Sequence, residues 1–119
     1  MPTVNLECEF SYEAAHRLPL VPPGHKCGRM HGHSYHLSVT VRGPVCDDGF
    51  VIDFADVKQA VEPLIAQLDH HTLNNIDGLE NPTVEHQLVW LWERIPLPGL
   101  HELRLRETGT NSATYRGDA

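Results

Sequence analysis

From Val4 to His16 the chain alternates: Val4, Leu6, Cys8, Phe10, Tyr12, Ala14 and His16 fall on one parity, and Asn5, Glu7, Glu9, Ser11 and Glu13 fall on the other. Period-2 patterning of this length dictates a half-buried strand, because successive side chains of a strand point to opposite faces. His16 therefore belongs to the apolar face. A second stretch behaves alike, with Tyr35, Leu37, Val39 and Val41 set against Ser34, His36, Ser38, Thr40 and Arg42. Just upstream, His31 and His33 continue the apolar parity with Gly32 between them. Residues two apart in a strand point the same way, and a glycine between them leaves the backbone room beside a bound group. If the two strands pair, three imidazoles converge.

Between these strands LPLVPPGHKCG is a loop, since its prolines and glycines exclude a regular element. After the second strand GPVCDDG turns the chain and FVID is expected to continue as a short strand. Asp53 is placed to cap a helix in which Val57, Val61, Leu64, Ile65 and Leu68 recur at helical spacing. Pro63 should kink that helix or restrict its regular part. A second helix opens at Asn81-Pro82-Thr83, shows Val84, Leu88, Leu91, Trp92 and Ile95 on one stripe, and ends at PLPG. HELRLRE then reads as a strand with Leu103, Leu105 and Glu107 on one face, and SATYR pairs with it as a hairpin. The order strand, strand, helix, helix, strand, strand predicts an α+β fold: a four-stranded antiparallel sheet with open edges and two helices on one face. Self-association would close those edges. A length of 119 residues is near the commonest domain size, so residues 1–119 are expected to form one domain.

The formal net charge of −7 argues against a non-specific nucleic-acid binder. No stretch approaches the roughly 18 apolar residues of a membrane span, and MPTVNLECEF carries acids where a secretory signal carries positive charge. A cytoplasmic protein is expected, in which the odd, widely spaced Cys8, Cys27 and Cys46 stay free thiols. Charge is unevenly spread. No acid lies between Glu13 and Asp47, a window that holds Arg17, Lys26, Arg29, Arg42 and five of the nine histidines. Such a segment suits a small anionic molecule, although any single one of these charges can simply be solvated.

Three neutral imidazoles with a fourth position open is the pattern of catalytic zinc, whereas structural zinc is usually closed by four protein ligands. His16, His31 and His33 are therefore candidate zinc ligands. Cys27 either closes the site as a thiolate or stands beside it as a base. Its place in a loop next to Lys26 and Arg29, where positive charge favours a reactive thiolate, argues for the base. In LDHHTLN an aspartate can orient a histidine ring. Adjacent side chains rarely bond each other, so Asp69 and His70 are expected to face a shared third group; the alternative is a polar helix end whose histidines favour the dipole. Glu107 puts a carboxylate on an apolar face, which is costly unless something pairs with it. A planar ligand with two adjacent N–H donors would suit it, and a strand end already in solvent is the alternative.

With these residues in place, the chain resembles the 6-pyruvoyl-tetrahydropterin synthase family, and within it the bacterial 6-carboxy-5,6,7,8-tetrahydropterin synthases of queuosine biosynthesis. FSYEAAHRL, GHKCGRMHGHS, VIDFADVK, LDHHTLN, ENPTVEH and RET stand in the family's order. The three residues between Cys27 and His31 match the 6-carboxy enzymes, the 6-pyruvoyl enzymes carrying a longer spacer. The resemblance implies that His16, His31 and His33 bind Zn2+, that Cys27 is the general base, and that Asp69 and His70 transfer protons, supplied by a neighbouring subunit. It makes Glu107 the anchor of the pterin, with Thr83 nearby, and offers Lys26 and Arg29, or Arg17, to the triphosphate. His86 stands where members of the family often have asparagine. The implied reaction converts 7,8-dihydroneopterin triphosphate to 6-carboxy-5,6,7,8-tetrahydropterin with loss of triphosphate and acetaldehyde. The alternatives are a 6-pyruvoyl synthase, which stops after triphosphate elimination, and a non-catalytic zinc-binding module. The implied architecture is the tunnelling fold, a homo-oligomer that is a trimer or a dimer of trimers, with active sites at subunit interfaces and without nucleic-acid or membrane partners.

Overall fold

The structure, a computed structural model, describes residues 1–118. The alternation of the first strand persists to its end, giving β1 (Thr3–His16), which pairs antiparallel along its whole length with β2 (His31–Pro44). β3 (Leu100–Glu107) and β4 (Asn111–Tyr115) extend the sheet in the order β1-β2-β3-β4. α1 (Phe54–Leu68) packs over β1, and α2 (Val84–Arg94) packs over β3 and β4. Among the described residues this is the expected α+β arrangement, with β1 and β4 as edges.

One face of the sheet carries Tyr12, Tyr35, Leu37, Val39, Leu103 and Leu105, all buried against Val57, Val61, Leu68, Leu88 and Leu91 of the helices. Burying a side chain of this size contributes about 1.5–3 kcal/mol, so this face fixes the register of the whole sheet. The other face leaves Glu7, Glu9, His36, Arg104 and Arg106 exposed. Both helix starts are capped as their sequences require: Asp53 Oδ1 accepts from Ala55 N–H at 2.9 Å and Thr83 Oγ1 accepts from His86 N–H at 3.1 Å.

A strand at FVID and a shortened α1 are not found. FVID forms no strand, because Cys46 N–H donates to the Phe50 carbonyl at 2.9 Å and closes a turn, leaving Asp53 to cap α1. α1 also runs through Pro63 with its regular part intact. Pro63 and Gln59, whose carbonyl would have received the missing N–H, are both exposed, so water can replace that bond. Gly99 links the second helix to β3 at φ +80°, and a Cβ there would sit 2.8 Å from the Arg42 carbonyl oxygen. Only glycine fits where the chain closes against β2. No helix of the described residues is long and apolar enough to cross a membrane.

Candidate active site

The β1–β2 register sets His16 opposite His31 and Ala14 opposite His33. A small residue opposite His33 gives its ring space to swing toward the other two. The ring centroids lie 4.6 Å (His16–His31), 5.1 Å (His16–His33) and 4.8 Å (His31–His33) apart, and one nitrogen from each ring falls within 4.8 Å of the others. The expected convergence is present. Gly32, by contrast, is not demanded by packing, since a Cβ there would meet only the Ala14 carbonyl oxygen at an ordinary 3.6 Å.

The protons of these rings can be assigned from their partners. His16 Nδ1 lies 2.8 Å from the Pro82 carbonyl and His31 Nδ1 lies 2.7 Å from the Arg29 carbonyl. A carbonyl only accepts, so both Nδ1 atoms carry hydrogen and both Nε2 atoms present bare lone pairs. Those two Nε2 atoms face each other at 3.1 Å. Two acceptors at that distance repel unless a cation stands between them, and two nitrogens on one tetrahedral zinc, each about 2.0–2.1 Å from the ion, lie about 3.3 Å apart. The donor set fits a zinc ion. His33 adds the third ring, its Nδ1 3.0 Å from Thr108 Oγ1. Burial, the largest cause, holds the His16 pKa below its ordinary value, which keeps the ring neutral and available to a metal.

Glu107 ends β3 directly across from Tyr35. Its Oε1 is 3.5 Å from His33 Nε2, and its Oε2 accepts from the Tyr35 hydroxyl at 3.4 Å. The side chain is 23% exposed, so the carboxylate sits at the rim of the apolar face with capacity to accept more. Thr83 spends one lone pair on the cap of α2 and keeps its own hydroxyl proton to donate.

Cys27 lies in a short 3-10 turn (Lys26–Gly28) as a half-buried free thiol. Its carbonyl accepts from Leu18 N–H at 2.8 Å, and its N–H donates to His25 Nδ1 at 3.0 Å, so the loop folds back beside the end of β1. Among the described residues no cysteine sulfur belongs to the imidazole cluster. Arg17 and Arg29 line a cavity of about 350 Å³ in the same loop together with His25, and no acid lines it; exposed Lys26 lies outside that lining.

The Asp69–His70 expectation needs correction: the two side chains bond each other, His70 Nδ1 lying 2.9 Å from Asp69 Oδ2. His70 follows α1 in a left-handed conformation, φ 59°, and this turns its ring back over its neighbour. The strain is held by β1, whose Glu13 donates its N–H to Asp69 Oδ1 at 2.9 Å and accepts from His70 N–H at 2.6 Å. The Glu13 amide first, and His70 second, hold the Asp69 carboxyl below the usual range. His70 and His33 line one open cavity of about 340 Å³, whereas Cys27 does not line it.

Some site residues escape sequence reasoning. Thr108, at φ 29°, gave no signal beyond its place after Glu107. Tyr35 and Tyr12 shared the parity of the histidines and could have been found by that alone.

Comparison with known proteins adds to this geometry. A family model described as 6-pyruvoyl tetrahydropterin synthase matches residues 5–118. The 6-carboxy-5,6,7,8-tetrahydropterin synthase of Synechocystis is 40% identical over 116 residues, covering 90% of this chain and 88% of its own. The dihydroneopterin monophosphate aldolase of Pyrococcus furiosus is 37% identical, covering 75% of this chain and 74% of its own. Among solved structures, 6-pyruvoyl tetrahydropterin synthase of Caenorhabditis elegans superposes with a TM-score of 0.91 at 28% identity, over 99% of this chain and 98% of that one.

Proposed function

Because the chain belongs to the 6-pyruvoyl tetrahydropterin synthase family, we infer that it is a zinc-dependent carbon–carbon lyase. With one molecule of water it converts 7,8-dihydroneopterin triphosphate to 6-carboxy-5,6,7,8-tetrahydropterin, releasing acetaldehyde and triphosphate, for queuosine or another 7-deazapurine. The observation that carries this reading is the pair of bare Nε2 atoms of His16 and His31 at 3.1 Å with His33 beside them.

His16, His31 and His33 would hold the zinc, whose Lewis acidity, when bound, favours charge developing on the substrate's side-chain oxygens. The chain's own groups do the rest. Glu107, with a carboxylate partly free at the rim, receives two adjacent N–H groups of the pterin in a bidentate fork, and Thr83 contributes its hydroxyl. Cys27 removes protons from side-chain carbon as thiolate. His70, oriented by Asp69 at 2.9 Å, returns or relays them. Lys26 and Arg29 meet the triphosphate, and the acid-free cavity that includes Arg17 and Arg29 supports an anion there.

Among the described residues, the cavity that His70 lines together with His33 does not include Cys27. This supports a homo-oligomer, a trimer or a dimer of trimers, in which the Asp69–His70 pair of one copy serves the Cys27 of its neighbour. The edge of β4, and that of β1 ahead of Glu13, supply a means of joining copies. Each copy then contributes one domain of residues 1–119, working in the cytoplasm.

A 6-pyruvoyl synthase is the second reading, favoured by the structural likeness to the Caenorhabditis elegans enzyme. Incubation with dihydroneopterin triphosphate separates the two. Acetaldehyde and a 6-carboxypterin are expected; a 6-pyruvoyl product without acetaldehyde sinks the lyase assignment.

A further inference from the structure

Gln87 lies on the buried side of α2 and is 0% exposed. A glutamine is rarely so deep, and both ends of its amide must find partners there. They do. Gln87 Nε2 donates to the Pro82 carbonyl at 3.0 Å, and Gln87 Oε1 accepts from the Tyr12 hydroxyl at 2.7 Å. That same Pro82 carbonyl accepts from His16 Nδ1 at 2.8 Å. Its two lone pairs are thus shared between a buried amide and a ring of the metal cluster.

The Pro82 carbonyl, which only accepts, turns the amide nitrogen toward itself and leaves Gln87 Oε1 to the Tyr12 hydroxyl. Burial, with Tyr35 and Glu107 adding to it, holds the Tyr12 pKa well above its ordinary value, so Tyr12 remains a donor at any working pH. A donor on one side and a carbonyl on the other leave Gln87 a single satisfied orientation. Tyr12 is itself clamped, its ring stacked on Tyr35 with centroids 4.9 Å apart and planes 19° from parallel. The Tyr35 hydroxyl in turn lies 3.3 Å from His16 Nδ1.

We propose that Gln87, bonded to Tyr12, is a positioning residue for the metal centre: it anchors the Pro82 carbonyl that holds His16 as the Nδ1–H tautomer with Nε2 toward the ion. Partners of this kind fix the orientation and basicity of a metal-binding imidazole. The inference rests on the imidazole cluster being a metal site. Its rival is that Gln87 and Tyr12 merely fasten α2 to β1.

A pair of variants separates these. Gln87→Leu strands the buried Tyr12 hydroxyl and is expected to lower stability. Tyr12→Phe with Gln87→Leu replaces both partners by apolar groups and should recover much of that stability. Zinc affinity is measured by chelator competition, and the absorption bands of the cobalt-substituted protein report ligand geometry. The double variant is expected to bind zinc about 10- to 100-fold more weakly than the wild type and to shift the cobalt bands. Wild-type zinc affinity and unaltered cobalt bands in a stable double variant overturn the proposal. A wild-type protein that takes up no zinc, or keeps it after His16→Ala, overturns the metal reading itself, and so the two failures are distinct.

Discussion

His16 is 1% exposed, with its Nδ1 bonded to a buried carbonyl, while the His70 side chain is 78% exposed and is gripped by one carboxylate and the backbone of Glu13. Both histidines lie at or just beyond the end of a regular element, yet one is built into the core and the other stands on the surface. The contrast separates two tasks. Holding a metal requires rings fixed by packing and hydrogen bonds, which one folded chain supplies by itself. In the proposed reading His70 moves a proton, a task for a group whose interactions strengthen only when water is expelled, and there it awaits substrate and a second copy. On that reading, burial marks the half of the site that one chain completes.

The largest expected effect tests the buried half. His16→Ala should abolish stoichiometric zinc and lower turnover more than about 1,000-fold, several kcal/mol of transition-state stabilisation. Metal analysis and product formation read this; retained zinc would break the comparison. Next comes Cys27→Ala, expected to keep a full complement of zinc while losing about 10²- to 10⁴-fold in turnover. A parallel loss of metal would put the sulfur among the ligands.

His70→Ala is expected to cost about 100-fold in turnover yet to lower stability far less than a core substitution does. Denaturation that matched the effect of a core substitution would show that the two regions are not distinct. Mixing unfolded Cys27→Ala and His70→Ala chains and refolding them together should restore part of the activity through hybrid interfaces. No recovery would place the whole site within one copy.

The smallest effect concerns Asp69. Its folded-state pKa is depressed, so its bonds contribute stability above the unfolded value of about 3.9 and lose it as pH falls through the folded value. Asp69→Asn should therefore differ slightly in melting temperature from the wild type at neutral pH and converge with it in acid. A gap that widens below pH 4 would reverse the sign.

How much of this was legible follows from range. The parity of His16, His31 and His33 is a local property of two strands and could be read directly, as could Glu107 on the apolar side of β3. The caps of α1 and the β3–β4 hairpin were equally local. The Asp69–His70 bond was not, because a histidine at φ 59° is imposed by Glu13, a residue distant in sequence. FVID misled for a related reason, since a turn-closing bond outweighed local propensity. Gln87 was hidden most completely: its partner Tyr12 is 75 positions away, and either residue alone reads as an ordinary side chain.

His16 opposite His31, Ala14 opposite His33 and Tyr12 opposite Tyr35 form one ladder in which chemistry and core share a frame. Slipping either strand by one residue would turn its imidazoles and its aromatic side chains outward together. The loop of residues 17–30 carries no such frame, so drift in length is tolerable there and forbidden in the strands. Kinship with proteins of altered chemistry should accordingly be written in that loop, with the hairpin beneath it left at constant length.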